Sequence, residues 1–233
     1  MTWKQLFTSS IGKKYVMGFT GFFLIIYLII HASVNAMIFY DDGGMRFNKA
    51  AYFMSHNFFI RFMEIGLFAG FLLHIIQGLL LWKQNRAARK IKYNTNRPSA
   101  NSKWYSRSMG LLGTFLLLFL IMHLYHFWAG TKNEMYFHGP RVDLYLEMKE
   151  IFTNPLLFTL YMVGLVSLLF HLLQGFQSAF QTFGINHRRY TPVIKGIGVF
   201  YSFAICILRN KTKKKNQSKI QSPHKHIINL VEK

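Results

Sequence analysis

The chain has 233 residues, of which 52% are hydrophobic, 17% aromatic and only 15% charged, whereas about a quarter of the residues in an ordinary soluble domain are charged. Lys and Arg outnumber Asp and Glu 28 to 8, for a formal charge of +20. Long apolar stretches separate the basic clusters, which excludes a nucleic-acid-binding domain whose basic residues share helices or ribbons with base-reading side chains. The single cysteine, Cys206, excludes an internal disulfide and a cysteine-ligated iron–sulfur cluster.

Five apolar segments follow in order: Tyr15–Tyr40, Phe58–Trp82, Met109–Gly130, Leu156–Phe180 and Val193–Leu208. The first four reach the roughly 20 residues that a helix needs to cross a bilayer, and the fifth falls short. The first segment is longer than the apolar core of a signal peptide and lacks a small-x-small cleavage site after it, so it is expected to remain as a helix. The connections carry an asymmetric charge. Lys4, Lys13 and Lys14 precede the first span. The second connection holds Lys83, Arg86, Arg89, Lys90, Lys92, Arg97, Lys103 and Arg107 without an acidic residue, and the fourth holds Arg188 and Arg189. The first and third connections mix Arg46, Lys49, Lys132, Arg141 and Lys149 with Asp41, Asp42, Glu134, Asp143, Glu147 and Glu150. The positive-inside rule then places the N-terminus in the cytoplasm. The expected fold class is an all-α integral membrane protein, a bundle of four to five transmembrane helices. Its last crossing is in doubt because Lys195 lies within it and Arg209, Lys211 and Lys213 to Lys215 follow it.

Ionisable side chains within a span cost about 2.5–3.5 kcal/mol each on insertion scales, so each one here needs an explanation. His31, His74 and His171 lie in the first, second and fourth spans, and the third carries both His123 and His126. With about 1.5 Å of rise per residue, His31 lies about 25 Å beyond Lys14 and His123 about 24 Å beyond Arg107, a shared outer depth. His74 lies about 20 Å below Arg61 and His171 about 24 Å below Pro155, a shared inner depth. Gln174, Gln177, Ser178 and Gln181 suggest that the fourth helix projects past the hydrocarbon on the inner side.

Two pairs of imidazoles facing each other across a bundle suit the two axial positions of a planar haem, whereas zinc takes four ligands at one level. Without a C-x-x-C-H motif such haems would be non-covalent. Around the inner pair, Gly70 and Gly78 flank His74, and Ser167 and Gly175 flank His171, each four residues away. Small residues there leave room for a porphyrin, although Gly66-x-x-x-Gly70 is also a helix-packing pattern. The outer pair lacks this feature, with Tyr27 and Asn35 about His31 and Phe119 and Phe127 about His123. Glu64 is the only acid within a span and lies about 28 Å from Lys83, level with the outer histidines. It reads either as a group handling protons or as a rim carboxylate paired with Arg61.

The order and spacing of several motifs resemble the di-haem cytochrome b subunit of succinate dehydrogenase and fumarate reductase. These are Tyr15-Val-Met-Gly-Phe-Thr-Gly-Phe-Phe-Leu, His31-x-x-x-Asn35, Glu64 ahead of His74-x-x-Gln-Gly78, Ser106-Arg107-x-Met-Gly, His123-Leu-x-x-Phe-Trp128, and His171-x-x-Gln-Gly175 with Phe180-Gln-Thr-Phe-Gly184. The resemblance runs from about Gly12 to Gly198. It implies a five-helix membrane anchor in a bacterial cytoplasmic membrane, partnered by flavoprotein and iron–sulfur subunits. It also implies two haem b groups and a membrane quinone, menaquinone by family. The iron ligands fall on His31, His74, His123 and His171, paired His31/His123 and His74/His171, with Gly78 and Gly175 beside the inner haem. His126 competes with His123 for the third position, but depth and the His-Leu-x-x-Phe-Trp pattern favour His123. That leaves His126 to bond a haem propionate, a quinone oxygen or a neighbouring helix. Glu64 becomes a quinone-site proton-handling residue. The basic inner segments are expected to face the soluble partners. Residues 1–208 would form the di-haem domain and 209–233 a basic tail. A hydrogenase or formate dehydrogenase cytochrome b shares the same chemistry. A haem-free transporter with histidines along a proton or metal path is the alternative from another class.

Overall fold

The computed structural model describes residue 2 and residues 7–88, 102–137 and 143–206, and every regular element among them is helical. The long helices are α1 (Ser10–Ala36), α3 (Phe58–Ala87), α5 (Met109–Leu124) and α8 (Pro155–Thr182). α5 continues through a π-helical turn, Tyr125–Ala129, into α6 (Gly130–Phe137). Two shorter helices lie in the outer connections, α2 (Met45–His56) and α7 (Leu144–Thr153), and α4 (Trp104–Arg107) leads into α5. The helix α9 (Thr191–Cys206) follows α8. Four helical stretches, Ser10–Phe39, Phe58–Ala87, Met109–Phe137 and Pro155–Thr182, are long and apolar enough to cross a membrane. The all-helical fold expected from the sequence is therefore observed.

Local chemistry sets the helix starts. The Ser9 hydroxyl accepts from Gly12 N at 3.0 Å. Asn57 Oδ1 accepts from Phe59 N and Ile60 N at 2.9 and 3.3 Å, and Asn154 Oδ1 from Leu156 N and Leu157 N at 3.0 and 3.2 Å. Such side-chain caps satisfy amides that have no partner in the first turn and are each worth about 1 kcal/mol. Pro155 sits where a missing N–H costs nothing. At one end of the bundle α1, α3 and α8 run on past the apolar segments, α1 starting at Ser10 ahead of Lys13 and Lys14, α3 continuing through Lys83 to Arg86, and α8 through Gln181.

The helices form a closed ring in which α1 packs on α3, α3 on α5, α5 on α8, and α8 on α1. Neighbours are antiparallel. Met17, Gly21 and Phe23 of α1 meet Gly78, His74 and Gly70 of α3, and Gly18 meets Thr182 of α8. The diagonals of the ring are thus α1 with α5 and α3 with α8. Outward apolar residues stay uncovered, with Phe19, Ile65, Leu72 and Leu118 all between 59% and 69% exposed. A surface this apolar on four consecutive long helices is what lipid would cover.

α9 turns back after Gly184, whose φ of +77° suits only glycine, and packs along α1 and α8. Ile25, Leu172 and Phe176 form the buried cluster there, with Ile194, Tyr201 and Ile205 against it. Tyr201 donates to Ile25 O at 2.9 Å and Cys206 approaches Leu165 O at 3.6 Å. Its described part is shorter than a crossing, as the sequence suggests. The end of the fifth apolar segment, the boundary at 208/209, the tail 209–233, the basic stretch 89–101 and Arg141 lie outside the described residues.

At the outer end, Ile38, Phe47 and Met148 make a second buried cluster that joins the two connections. Asn48 clamps them by donating to Asp143 Oδ1 at 2.7 Å and accepting from Tyr145 N at 3.1 Å. Asn48→Ala should loosen this cap by about 1–3 kcal/mol, because it strands a backbone amide and frees a helix-capping carboxylate. Limited proteolysis from the outer side should then cut the connections faster, with the spans intact.

Candidate functional site

The four span histidines project into the bundle from four different helices and meet two by two. His31 on α1 and His123 on α5 have ring centroids 5.7 Å apart, and His74 on α3 and His171 on α8 have theirs 6.3 Å apart. Each pair bridges one diagonal of the ring, and the two pairs cross at different levels. The pairing that depth along the helices predicts is the pairing that the fold produces.

A metal held between two imidazoles by bonds of about 2 Å each places the facing ring centres roughly 6 Å apart, once the distance from each nitrogen to its ring centre is added. Both pairs match that spacing. Among the described residues, no three His, Cys, Asp or Glu side chains converge on one metal position. Each level thus brings together two imidazoles, a donor set that suits a planar macrocycle supplying the other four ligands itself.

The inner pair is closely fitted on the His74 side. Its Nδ1 lies 3.1 Å from the Thr20 hydroxyl. A Cβ at Gly21 would come within 3.3 Å of His74 Cε1, so glycine there lets the imidazole edge sit against α1. The Nδ1 of His171 and the Oε1 of Gln77 are buried and make no hydrogen bond among the described residues. Ser167 is 5% exposed, and a Cβ added at Gly175 would meet, among the described residues, only the His171 ring of its own helix, at 4.0 Å. A Cβ added at Gly78 or Gly70 would come within 3.3 and 3.1 Å of the side-chain ends of Met17 and Phe23. Room beside the inner pair is thus clearest at Gly175, whereas a Cβ added at Gly66 would meet nothing within 4 Å among the described residues, so no close helix contact is seen there.

The outer pair sits among aromatic rings. His31 stacks on Tyr27 at 5.5 Å and His123 on Phe119 at 5.6 Å. Tyr161 of α8, fully buried, touches the rings of His123, His126, Phe119, Phe127 and Phe152. Its hydroxyl lies 3.0 Å from His126 Nδ1, so His126, on the π turn, is engaged by a neighbouring helix, one of the three roles open to it in the sequence. Phe119 also fills the space above Gly164, where an added Cβ would overlap its ring. Gly164→Val should therefore push Phe119 against His123 at a cost of about 1–3 kcal/mol. Heated membranes of this variant should lose the protein's protease resistance at a lower temperature than wild type.

Glu64 lies on the α3–α5 seam. Its Oε1 accepts from Trp128 Nε1, and its Oε2 lies 3.7 Å from Arg61 and 3.6 Å from Lys132. The pairing with Arg61 is present, and Lys132 and Trp128 join it. A cavity of about 60 Å³ opens instead on the α1–α8 side, lined in part by His31, Asn35, Met148 and Ile205. Sequence reasoning gave no site role to Tyr161, or to Thr20, Trp128, Lys132 and Gln77, which figured there only within motifs or the charge of a connection. A lone phenol within the apolar run of the fourth span was the available signal for Tyr161.

Fold and site together define a membrane-spanning helical bundle whose interior carries two crossed histidine pairs. In sequence, the chain is 27% identical over 183 residues to the succinate dehydrogenase cytochrome b558 subunit of Bacillus subtilis (strain 168), covering 78% of this chain and 82% of that protein. This similarity bears out the resemblance carried by the motifs and supports the succinate dehydrogenase cytochrome b subunit family. No family model matches the chain. No solved structure matches it either.

Proposed function

We propose that this chain is the cytochrome b membrane anchor of a succinate:quinone oxidoreductase, carrying electrons between an iron–sulfur subunit and a membrane quinone. The observation that carries the reading is the crossed pairing of His31 with His123 and His74 with His171, at spacings suited to two bis-histidine haems. The relative's name supplies the connection to succinate dehydrogenase.

His74 and His171 would hold the inner haem b, and His31 and His123 the outer one. When bound, haem b supplies reversible one-electron transfer at its iron. With two imidazoles committed to each haem, neither site would bind substrate at the metal. The chain's own part is to hold the imidazoles opposed, to exclude water with the apolar rings around them, and to space the two levels along the membrane normal. Gly175, with Gly78 after movement of Met17, would give the inner macrocycle its room. His126 would steady the outer level through Tyr161.

Glu64 would handle protons for the quinone, menaquinone by the family resemblance, at the outer level. The soluble flavoprotein and iron–sulfur subunits would dock on the basic inner face, with the N-terminus in the cytoplasm of a bacterium and the spans in its inner membrane. Affinity purification of the tagged chain from its native membranes tests the assignment. The expected result is co-purification of a flavoprotein and an iron–sulfur protein, with succinate reducing the b-type absorbance. Reduction by hydrogen or formate but not succinate would move the chain to the other cytochrome b class.

A further inference from the structure

We infer that Thr20 is a positioning residue for the inner haem: its hydroxyl holds His74 in the tautomer and orientation that leave Nε2 free to bind iron. The inference rests on the haem reading above and adds to it a residue from a third helix.

Thr20 is 6% exposed and sits on α1 facing His74 of α3. Its hydroxyl has one proton, and two carbonyls of its own helix compete for it, Val16 O at 2.8 Å and Met17 O at 3.2 Å. This is the usual back-bond of a buried helical threonine, and it consumes the donor. What remains toward His74 Nδ1, at 3.1 Å, is an oxygen lone pair. The contact is therefore satisfied when Nδ1 carries the hydrogen and donates it. A neutral imidazole protonated at Nδ1 has its free lone pair at Nε2, the form a metal ligand requires. Gly21 completes the arrangement, because any larger residue would crowd His74 Cε1.

The opposite ligand lacks this support. His171 Nδ1 is buried and makes no hydrogen bond among the described residues. The two inner imidazoles are thus inequivalent, with His74 the anchored member. A hydrogen bond accepted from Nδ1–H raises the basicity of Nε2. A more basic ligand favours the oxidised iron, so the Thr20 contact lowers the midpoint potential of the inner haem, and its removal should raise it.

The test is a spectroelectrochemical titration of both b haems in the assembled membrane complex, comparing wild type, Thr20→Val and Thr20→Ser. The inner component is identified as the one missing in His171→Ala. Thr20→Val should raise the inner midpoint by an amount equivalent to about a tenfold change in the oxidised-to-reduced ratio, 59 mV for one electron. The outer midpoint should stay in place, and Thr20→Ser should titrate as wild type. Loss of the inner haem in Thr20→Val with retention in Thr20→Ser would equally support the positioning role. If Thr20→Val does not accumulate, Thr20→Ala makes the same deletion without the extra methyl. An unshifted inner midpoint in the hydroxyl-free variant, or an equal shift of both haems, would overturn the inference and leave the functional reading standing. Absence of haem from the wild-type complex would overturn that reading itself.

Discussion

Replacing His74 or His171 by alanine should halve the haem content and remove the same spectral component in both variants, while His31→Ala and His123→Ala should both remove the other. Each iron would depend on two protein nitrogens from different helices, so losing one leaves a five-coordinate iron and a gap where the imidazole packed. Even loss of outer-shell partners costs metal sites about 10–100-fold in affinity, and loss of a ligand itself should cost more. Within a pair, the double variant should look like either single one, because both act on one bound group. His126→Ala should keep both haems, since its ring is engaged with Tyr161. Pyridine haemochrome content and low-temperature spectra of purified variants read all of these outcomes. If His74→Ala and His31→Ala removed the same component, the crossed pairing would be wrong.

Glu64→Gln should slow succinate-to-quinone turnover by about a hundredfold or more, the lower end of what a positioned proton-transfer group contributes. Magnitudes separate this from a structural role. Ion pairs at partly exposed sites are worth about 0–1 kcal/mol, and the Glu64 side chain is 24% exposed, with Arg61 and Lys132 beside it. Glutamine keeps an oxygen to accept from Trp128, so a purely structural carboxylate predicts a slightly less stable protein with ordinary turnover. The proton-handling role predicts intact haem spectra, intact succinate oxidation with an artificial acceptor, and impaired quinone reduction. Wild-type quinone turnover in Glu64→Gln would return the residue to its ion pairs and direct attention to the cavity beside His31 and Asn35.

The parts of this molecule legible in sequence are those where one residue's chemistry conflicts with its surroundings. A histidine in a long apolar run is costly, and histidines at two depths in four helices leave little choice of pairing beyond that between His123 and His126. Helix starts were equally readable, since Asn57 and Asn154-Pro155 sit immediately before apolar runs. Thr20 was not readable, because a threonine in a span is ordinary until a facing helix brings His74 to its hydroxyl. The same holds for Lys132 and Trp128, which reach Glu64 only through the π turn that resets the end of α5. Flanking glycines proved ambiguous. Gly175 lies open, whereas Gly78 and Gly70 are covered by side chains from α1 whose register with α3 no local pattern reveals.

The most direct measurement of the central claim is the haem-to-protein ratio of the purified wild-type chain, taken with its reduced-minus-oxidised spectrum. Two non-covalent b haems per chain, both low-spin, are predicted from two opposed imidazole pairs. A chain purified intact from membranes of haem-sufficient cells with no haem, or with only one, would contradict the account.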